Sequence, residues 1–232
     1  MSNAPTMLTG ISSMATSQIL AELAALYERE RPARVAIASV GGVDAAGRVA
    51  AGERLDVVWL ASDAIDRLDA GGHVVAGSRV DLMRSDIWVA VRTGAPRPDI
   101  RSEQSVRAAV RNARTLGYST GPSGVHLARL FERWGIAGEI APRIVQAPPG
   151  VPVGALIATG EIEIGFQQRS ELVRISGVDA IGPLPEAIQK TTIFSGAICA
   201  TSTQPEAARA LLAFMASPAA ADAKRRRGME PA

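Results

Sequence analysis

The chain is poor in the residues that build metal centres and disulfides. It has one cysteine, Cys199, and two histidines, His73 and His126, among 232 residues. A single cysteine excludes an internal disulfide, and the sequence contains no HExxH motif. We therefore expect no metal site, and we expect Cys199 to be a buried structural thiol because its neighbours are apolar.

Long apolar runs and an excess of charge of one sign are also missing. No segment reaches the roughly 18 consecutive apolar residues of a membrane span, and residues 1–10 lack the basic and apolar regions of a secretory signal. Lysine and arginine number 25 against 23 acidic residues, so no basic face for nucleic acid is implied. We expect no membrane insertion and no nucleic-acid partner. The location is cytoplasmic as the chain is written, or periplasmic if it is a mature or re-started export product.

The densest run of charge lies near the C-terminus. Residues 224–227 read Lys-Arg-Arg-Arg, follow an alanine-rich stretch and precede Gly228. This pattern is typical of a helix C-terminus, where cations offset the helix dipole and glycine ends the helix. The alternative is a binding or localisation signal.

Short apolar runs alternate with helical patterns along the whole chain, which has 47% hydrophobic and 4% aromatic residues. Such alternation is typical of parallel sheets with crossover helices, and therefore of the α/β class. The helices with the clearest boundaries are predicted over 102–114 and 123–134. Strands are predicted over 6–9, 35–38, 55–61, 87–91, 116–119, 143–146 and 162–167.

The chain is long enough for two lobes of roughly a hundred residues each. The apolar segment 191–200 is longer than a median strand, so we expect it to cross from one lobe to the other. Pro205 then opens a helix that returns to the first lobe. This predicts a hinge of two segments, with residues 1–83 plus 197–232 in lobe I and residues 84–196 in lobe II.

A strand, a small hydroxyl-rich loop and a helix start recur in both halves, at residues 9–13 and 119–124. Ligands of open parallel sheets bind beyond the carboxyl ends of strands, where free N–H groups and helix dipoles favour anions. Ser12, Ser13 and Ser123 are therefore candidate anion ligands, although each serine could instead only cap its helix. A third loop, Gly41-Gly42-Val43, has no dinucleotide spacing, so no cofactor is predicted.

Several stretches resemble the molybdate-binding-like branch of periplasmic solute-binding proteins over nearly the whole chain. They are residues 10–15, 48–58 and 217–221, with Gly228-Met229. The resemblance implies a two-lobed type II periplasmic-binding-protein fold, each lobe a mostly parallel sheet flanked by helices. It also implies a monomer that closes on a small anion in the inter-lobe cleft and serves an ABC transporter membrane complex. Carried over by position, the ligand-binding residues are Ser12 or Ser13, Gly41 to Val43, Ser123 or Gly124, Val151 and Gln168.

Two positions depart from the family's pattern. Gly41-Gly42-Val43 replaces a serine-rich loop, and Gln168 replaces a late tyrosine. Both changes remove a hydroxyl from an oxyanion site. Gln167, Gln168, Arg84 and Arg169 offer donors for a larger and flatter anion, and arginine binds carboxylates bidentately. An organic di- or tricarboxylate is therefore the expected ligand, with solvated arginines as the alternative.

The same branch includes aconitate-isomerase-like members, which the stretches 121–125 and 130–133 resemble. The activity implied is movement of a proton across an unsaturated polycarboxylate, which needs a general acid and base near the substrate carbon. The candidates for that role are His126, Asp44 and Glu171. The sequence thus predicts a solute-binding protein for a small anion, with a cofactor-independent isomerase as the alternative.

Overall fold

The computed structural model describes residues 6–148, 150–173 and 175–232. The prediction that residues 1–10 carry no secretory signal falls partly on residues 1–5, which lie outside the described residues. Two compact units form the chain, Met1–Arg84 with Ile193–Ala232 and Ser85–Thr192. Among the described helices, none is long and apolar enough to cross a membrane.

The N-terminal part of the first unit alternates strands and helices, as the sequence pattern predicts. Its elements are β1 (Thr6–Ser13), α1 (Ser17–Glu30), β2 (Ala33–Val40), α2 (Gly42–Ala50), β3 (Val57–Ala61), α3 (Ser62–Ala70) and β4 (Val80–Ser85). The helix α1 buries one stripe, Ile19, Leu20, Leu23 and Tyr27, because apolar residues recur at helical spacing. Strand β1 is longer than predicted and includes Gly10 to Ser13, which the sequence pattern assigned to a loop.

The second unit repeats this alternation. Its elements are β5 (Ile87–Arg92), α4 (Glu103–Asn112), β6 (Leu116–Ser119), α5 (Pro122–Arg133), α6 (Ala137–Ile140), β7 (Ile144–Ala147), α7 (Val153–Thr159), β8 (Ile164–Gln168), α8 (Arg169–Leu172) and β9 (Val178–Pro183). Helix α4 begins at a capping box in which Ser102 and Ser105 bond each other's backbone N–H groups. Pro122 opens α5 at its first turn, where a missing N–H costs nothing.

The chain then returns to the first unit through β10 (Thr192–Ile198), α9 (Pro205–Ala216), α10 (Ala221–Arg226) and β11 (Glu230–Pro231). Pro205 is the first residue of α9, and the basic run ends α10, as predicted. Arg226 and Arg227 both donate to Glu22 of α1, at 2.8 and 2.7 Å. These contacts support the structural interpretation of the basic run.

Each unit has its own mixed sheet and its own core. The first sheet has the order β11-β4-β10-β3-β1-β2, in which β2, β1 and β3 are parallel and β10 is antiparallel to β3. The second has the order β7-β6-β8-β5-β9, in which β7, β6 and β8 are parallel and β5 is antiparallel to β8. Three neighbouring parallel strands in each sheet therefore end on one edge, and the helix that follows each strand begins there.

Candidate functional site

The carboxyl-terminal edge of the first sheet brings Ser13 and the loop after β2 together. Ser13 is in register with Val40, and a Cβ added to Gly42 would lie 3.7 Å from the Ser13 Cβ. Gly41 is the N-cap residue of α2 and makes no side-chain hydrogen bond to the helix. The first backbone N–H groups of α2 are therefore hydrogen-bond donors at this edge of the sheet. Val43 is 91% exposed on the first turn. The backbone arrangement suits an oxygen anion that approaches the N-terminus of α2.

The two adjacent serines of β1 have different environments. The Ser12 hydroxyl is fully buried and lies 2.8 Å from the Ser39 hydroxyl of β2, in a hydrogen bond that occupies both groups. The Ser13 hydroxyl is also buried but has no hydrogen-bond partner among the described residues. Ser13 makes no side-chain capping bond to the turn that follows, so the capping alternative is wrong for Ser13. A buried hydroxyl without a protein partner is costly, so the Ser13 hydroxyl is available to hydrogen-bond a ligand.

Two other candidates of the first unit lie away from Ser13 or in solvent. Arg84 is exposed on β4, and the strands β10 and β3 lie between β4 and β1 in the sheet. At ordinary strand spacing this separates the backbones by roughly 14 Å. Asp44 is exposed in the first turn of α2, where its negative charge interacts favourably with the helix dipole.

The corresponding edge of the second sheet carries Ser123, Gly124 and Val151. Ser123 is buried in the first turn of α5, and Val151 is 38% exposed in the loop between β7 and α7. A Cβ at Gly124 would lie only 1.7 Å from the Ser119 carbonyl oxygen. Gly124 therefore lets α5 pack closely against the end of β6, and its glycine is explained by packing.

His126 is tied to the fold by a hydrogen bond. Its Nε2 lies 2.9 Å from the Ile188 carbonyl oxygen. A carbonyl can only accept, so Nε2 carries the proton and the ring holds the turn that contains Ile188. This bond occupies one of the two ring nitrogens that a general base would use.

A further set of buried polar groups lies at the end of β8. Gln168 is 2% exposed, and its Nε2 donates to the Thr192 hydroxyl at 2.7 Å. The Gln168 Oε1 and the Ser170 hydroxyl are buried without a hydrogen-bond partner among the described residues. Two acceptors or donors at one strand end are thus available to a ligand or to water.

Arg169 is held by an aromatic ring. Its guanidinium carbon lies 4.8 Å from the centroid of the Trp88 ring, and its backbone N–H donates to the Asp86 carbonyl at 3.1 Å. No carboxylate of the described residues forms an ion pair with Arg169. A stacked guanidinium without a carboxylate partner is ready to bind an anion bidentately.

Glu171 lies two residues further along, in α8. Burial raises the pKa of this carboxyl to about 7, and a hydrogen bond from the Gln167 side chain opposes the rise. A carboxyl that titrates near neutral pH can both accept and return a proton under physiological conditions. Of the three predicted acid–base residues, Glu171 is the one whose environment suits that role.

The residues that reasoning from sequence missed are Trp88, Ser170 and Thr192. Trp88 and Arg169 are 81 positions apart, and Gln168 and Thr192 meet only because separate strands come together. The signal for Ser170 is its place directly after Gln168-Arg169. In the described parts of the chain, no group of three His, Cys, Asp or Glu residues could hold a metal ion.

Known proteins share this architecture. The periplasmic molybdate-binding protein of Azotobacter vinelandii matches with a TM-score of 0.78 and 18% identity, over 96% of this chain and 98% of that one. The sulfate-binding protein SubI of Mycobacterium tuberculosis H37Rv matches with a TM-score of 0.75 and 18% identity, over 97% and 87%. These structures confirm the predicted type II periplasmic-binding-protein fold class.

Comparisons of sequence identify the family to which the chain belongs. An aconitate isomerase from Pseudomonas sp is 40% identical, over 97% of this chain and 88% of that protein. The model of the family described as bacterial extracellular solute-binding protein matches residues 8–230. The chain therefore belongs to the family of bacterial extracellular solute-binding proteins.

Proposed function

We propose that this chain is an isomerase of a small unsaturated polycarboxylate. The observation that carries the proposal is the pair Arg169 and Glu171 on one short helix, an arginine without a carboxylate partner beside a carboxyl whose pKa burial raises to about 7. The 40% identical aconitate isomerase supports the same class of substrate. The sequence predicted a solute-binding protein first and an isomerase as the alternative, and the present proposal puts the isomerase first.

The reaction needs only proton movement. The Glu171 carboxylate takes a proton from the methylene carbon next to the double bond, and the electron pair spreads over the three-carbon allylic system. The same carboxyl then returns the proton to the far carbon, so the double bond moves and no other reactant is consumed. A base with a pKa near the working pH makes both transfers feasible.

Arg169 would bind the carboxylate that accepts the developing negative charge. The stacking on Trp88 fixes the guanidinium plane, so little reorganisation is needed as charge builds up. Charge-assisted hydrogen bonds of this type contribute about 1.5–3 kcal/mol. The hydroxyl of Ser170 is a further donor at the same strand end.

Ser13 and the N-terminus of α2 offer a second place for a carboxylate group, within the first unit. The exposed backbone N–H groups of the Gly41-Gly42-Val43 loop attract anions without any cationic side chain. The sequence predicts that one ligand contacts the strand ends of both units, and this stays a prediction. A double-mutant cycle between Ser13→Ala and Arg169→Ala tests it, because coupled losses of affinity mean one shared ligand.

The decisive experiment mixes the purified protein with trans-aconitate or cis-aconitate and follows conversion by absorbance and proton NMR in D2O. We expect conversion with deuterium exchange at the terminal carbons. Glu171→Gln should lower kcat by at least about 100-fold while aconitate still raises the melting temperature. Glu132→Gln, an exposed glutamate of the same unit, is the control and should keep full activity. Wild-type protein that binds aconitate and never converts it would refute the isomerase.

The second candidate is a solute receptor that binds an anion at the same site and catalyses no reaction. The match to the solute-binding family and the buried Ser13 hydroxyl without a partner favour it. A thermal-shift screen against molybdate, tungstate, sulfate, phosphate and citrate separates the two. A ligand at a hundred times its Kd adds about 2.7 kcal/mol of stability. Stabilisation by a tetrahedral oxyanion alone would support a receptor that serves an ABC transporter.

A further inference from the structure

The exposed apolar side chains of the protein are concentrated at the edges of the sheets where the parallel strands end. Among the described residues, seven large apolar side chains are exposed, and five of them lie at these strand ends. The five are Met14 after β1, Val43 after β2, Ile193 beside the end of β3, Val125 after β6 and Val151 after β7. Single exposed apolar residues need no explanation, whereas a group of them at one edge marks a contact surface.

Val43 has no role in the packing or in the formation of α2. This helix buries Ala45 and Val49 in the core, whereas Val43 is 91% exposed. A β-branched residue is a poor helix former, and acidic residues are the ones that interact favourably with the dipole in a first turn. The fold therefore does not account for valine at this position.

Met14 is the corresponding residue after β1. It begins the short turn Met14–Thr16, in which Thr16 is the buried residue, and it is 48% exposed. Met7, near the start of the same strand, has a similar exposure of 53%. The two methionines thus differ mainly in the end of β1 at which they lie.

Met14 and Val43 flank the polar groups that suit an anion. A Cβ added to Gly42 would lie 3.7 Å from the Ser13 Cβ, and Met14 and Val43 are each the next residue along the chain. The Ser13 hydroxyl is buried without a hydrogen-bond partner among the described residues, and α2 has no side-chain cap. Donors for an oxygen anion and exposed apolar side chains are therefore found at one place.

We propose that Met14 and Val43 are specificity-determining residues, whose side chains contact the carbon skeleton of an organic acid while Ser13 and the first N–H groups of α2 bind its carboxylate. The inference rests on the proposed function and names the feature by which the site distinguishes its class of ligand. A tetrahedral oxyanion presents only oxygen atoms and gains nothing from apolar contacts. Each buried CH2 group of an organic acid, in contrast, raises the affinity roughly three- to four-fold.

The second unit has the same combination at its own strand ends. Val125 is exposed in the first turn of α5, directly after Ser123 and Gly124, and Val151 is exposed in the loop before α7. Apolar side chains beside a helix start thus recur in a sheet with a separate core. This recurrence supports a ligand that has both carboxylate and hydrocarbon parts.

Two variants that keep the shape of the side chain test the inference. Val43→Thr replaces one methyl group by a hydroxyl, and Met14→Gln replaces the thioether by an amide. The matched controls are Val75→Thr and Met7→Gln, because Val75 and Met7 are exposed at the opposite edge of the first sheet. All four side chains are exposed, so the melting temperature of each variant should stay close to that of the wild type.

The probe is propane-1,2,3-tricarboxylate, a saturated tricarboxylate that has no double bond to move. We expect titration calorimetry to show an affinity about three-fold lower in Val43→Thr and in Met14→Gln, and about 10-fold lower in the double variant. The heat-capacity change of binding should be negative in the wild type and less negative in the double variant, because less apolar surface is buried. Both controls should match the wild type.

Two results would overturn the inference. One is a wild type that binds molybdate or sulfate and no tricarboxylate. The other is a double variant whose affinity and heat-capacity change equal those of the controls. Because the probe cannot isomerise, a wild type that binds it as expected and never converts aconitate would refute the proposed isomerase and leave this inference standing.

Discussion

The guanidinium of Arg169 stacks over the ring of Trp88, with 4.8 Å between the guanidinium carbon and the ring centroid. Arg169 begins the short helix after β8, whereas Trp88 lies on β5, which is antiparallel to β8. The pair therefore depends on the sheet order of the second unit. Stacking leaves the N–H edge of a guanidinium free for two parallel bonds to a carboxylate.

From this geometry we expect Arg169→Ala to weaken binding of a polycarboxylate by about 10- to 100-fold, since charge-assisted hydrogen bonds contribute about 1.5–3 kcal/mol. Trp88→Leu should weaken it by only about 2- to 5-fold, because cation–π contacts contribute roughly 0.5–1 kcal/mol. Isothermal titration with aconitate measures both. Arg129→Ala, an exposed arginine on α5, is the control. Equal affinities of Arg169→Ala and Arg129→Ala would remove Arg169 from the site.

Ser12 and Ser13 form a matched pair of variants. Ser12→Ala leaves the Ser39 hydroxyl without its partner and should lower the free energy of unfolding by about 1 kcal/mol, with little effect on binding. Ser13→Ala removes a buried hydroxyl that has no partner among the described residues, so stability should hold. Ligand affinity should fall by about 0.5–1.5 kcal/mol. Urea denaturation and titration calorimetry separate the two effects, and the opposite pattern would place Ser12 at the ligand.

The elements that the sequence predicts well are those with a strong local pattern. Strand β6 has the predicted bounds, and α5 differs from its prediction by one residue at each end. Proline at the start and apolar residues at helical spacing fix α5 locally. Strands β4 and β9 were not predicted. The sequence of β9, Val-Asp-Ala-Ile-Gly-Pro, has glycine and proline at its end and reads as a turn, and pairing with the distant β5 makes it a strand.

The site shows the same division between local and distant information. Ser13 and Arg169 can be predicted as ligand-binding residues from the sequence, because the apolar pattern shows where the strands before them end. A neighbouring strand decides which serine hydroxyl already has a hydrogen-bond partner, as Ser39 of β2 does for Ser12. The burial that raises the pKa of Glu171 depends likewise on packing of the whole unit, and sequence alone does not report it.

Lys224 is the residue of the basic run that does not face solvent. It is 1% exposed in α10, and burial lowers the pKa of its ammonium to about 8. A lysine whose pKa is lower in the folded than in the unfolded state costs stability wherever the folded form is charged. The cost is fully present below about pH 8 and is lost as the pH rises toward the unfolded value of about 10.5.

We therefore expect Lys224→Met to raise the free energy of unfolding at pH 7 by roughly 1–3 kcal/mol, with a smaller gain at pH 10. Lys190→Met is the control, since Lys190 is the exposed lysine of the second unit. Urea denaturation at the two pH values measures the change. A loss of stability at pH 7 would mean that the ammonium has a compensating partner.

Glu171 predicts the opposite dependence on pH. Its pKa is raised from 4.5 to about 7 in the folded state, so the folded protein holds this proton more tightly than the unfolded chain. The stability from that proton is fully present below about pH 4.5 and is lost as the pH rises through 7, where the buried carboxyl becomes charged. Glu171→Gln should therefore match the wild type near pH 4 and exceed its free energy of unfolding at pH 8 by on the order of 2 kcal/mol. Urea denaturation across this range, with Glu132→Gln as the exposed control, measures the difference. A difference that does not change with pH would mean that Glu171 titrates as an ordinary surface carboxyl, and the acid–base role proposed for it would fall with that result.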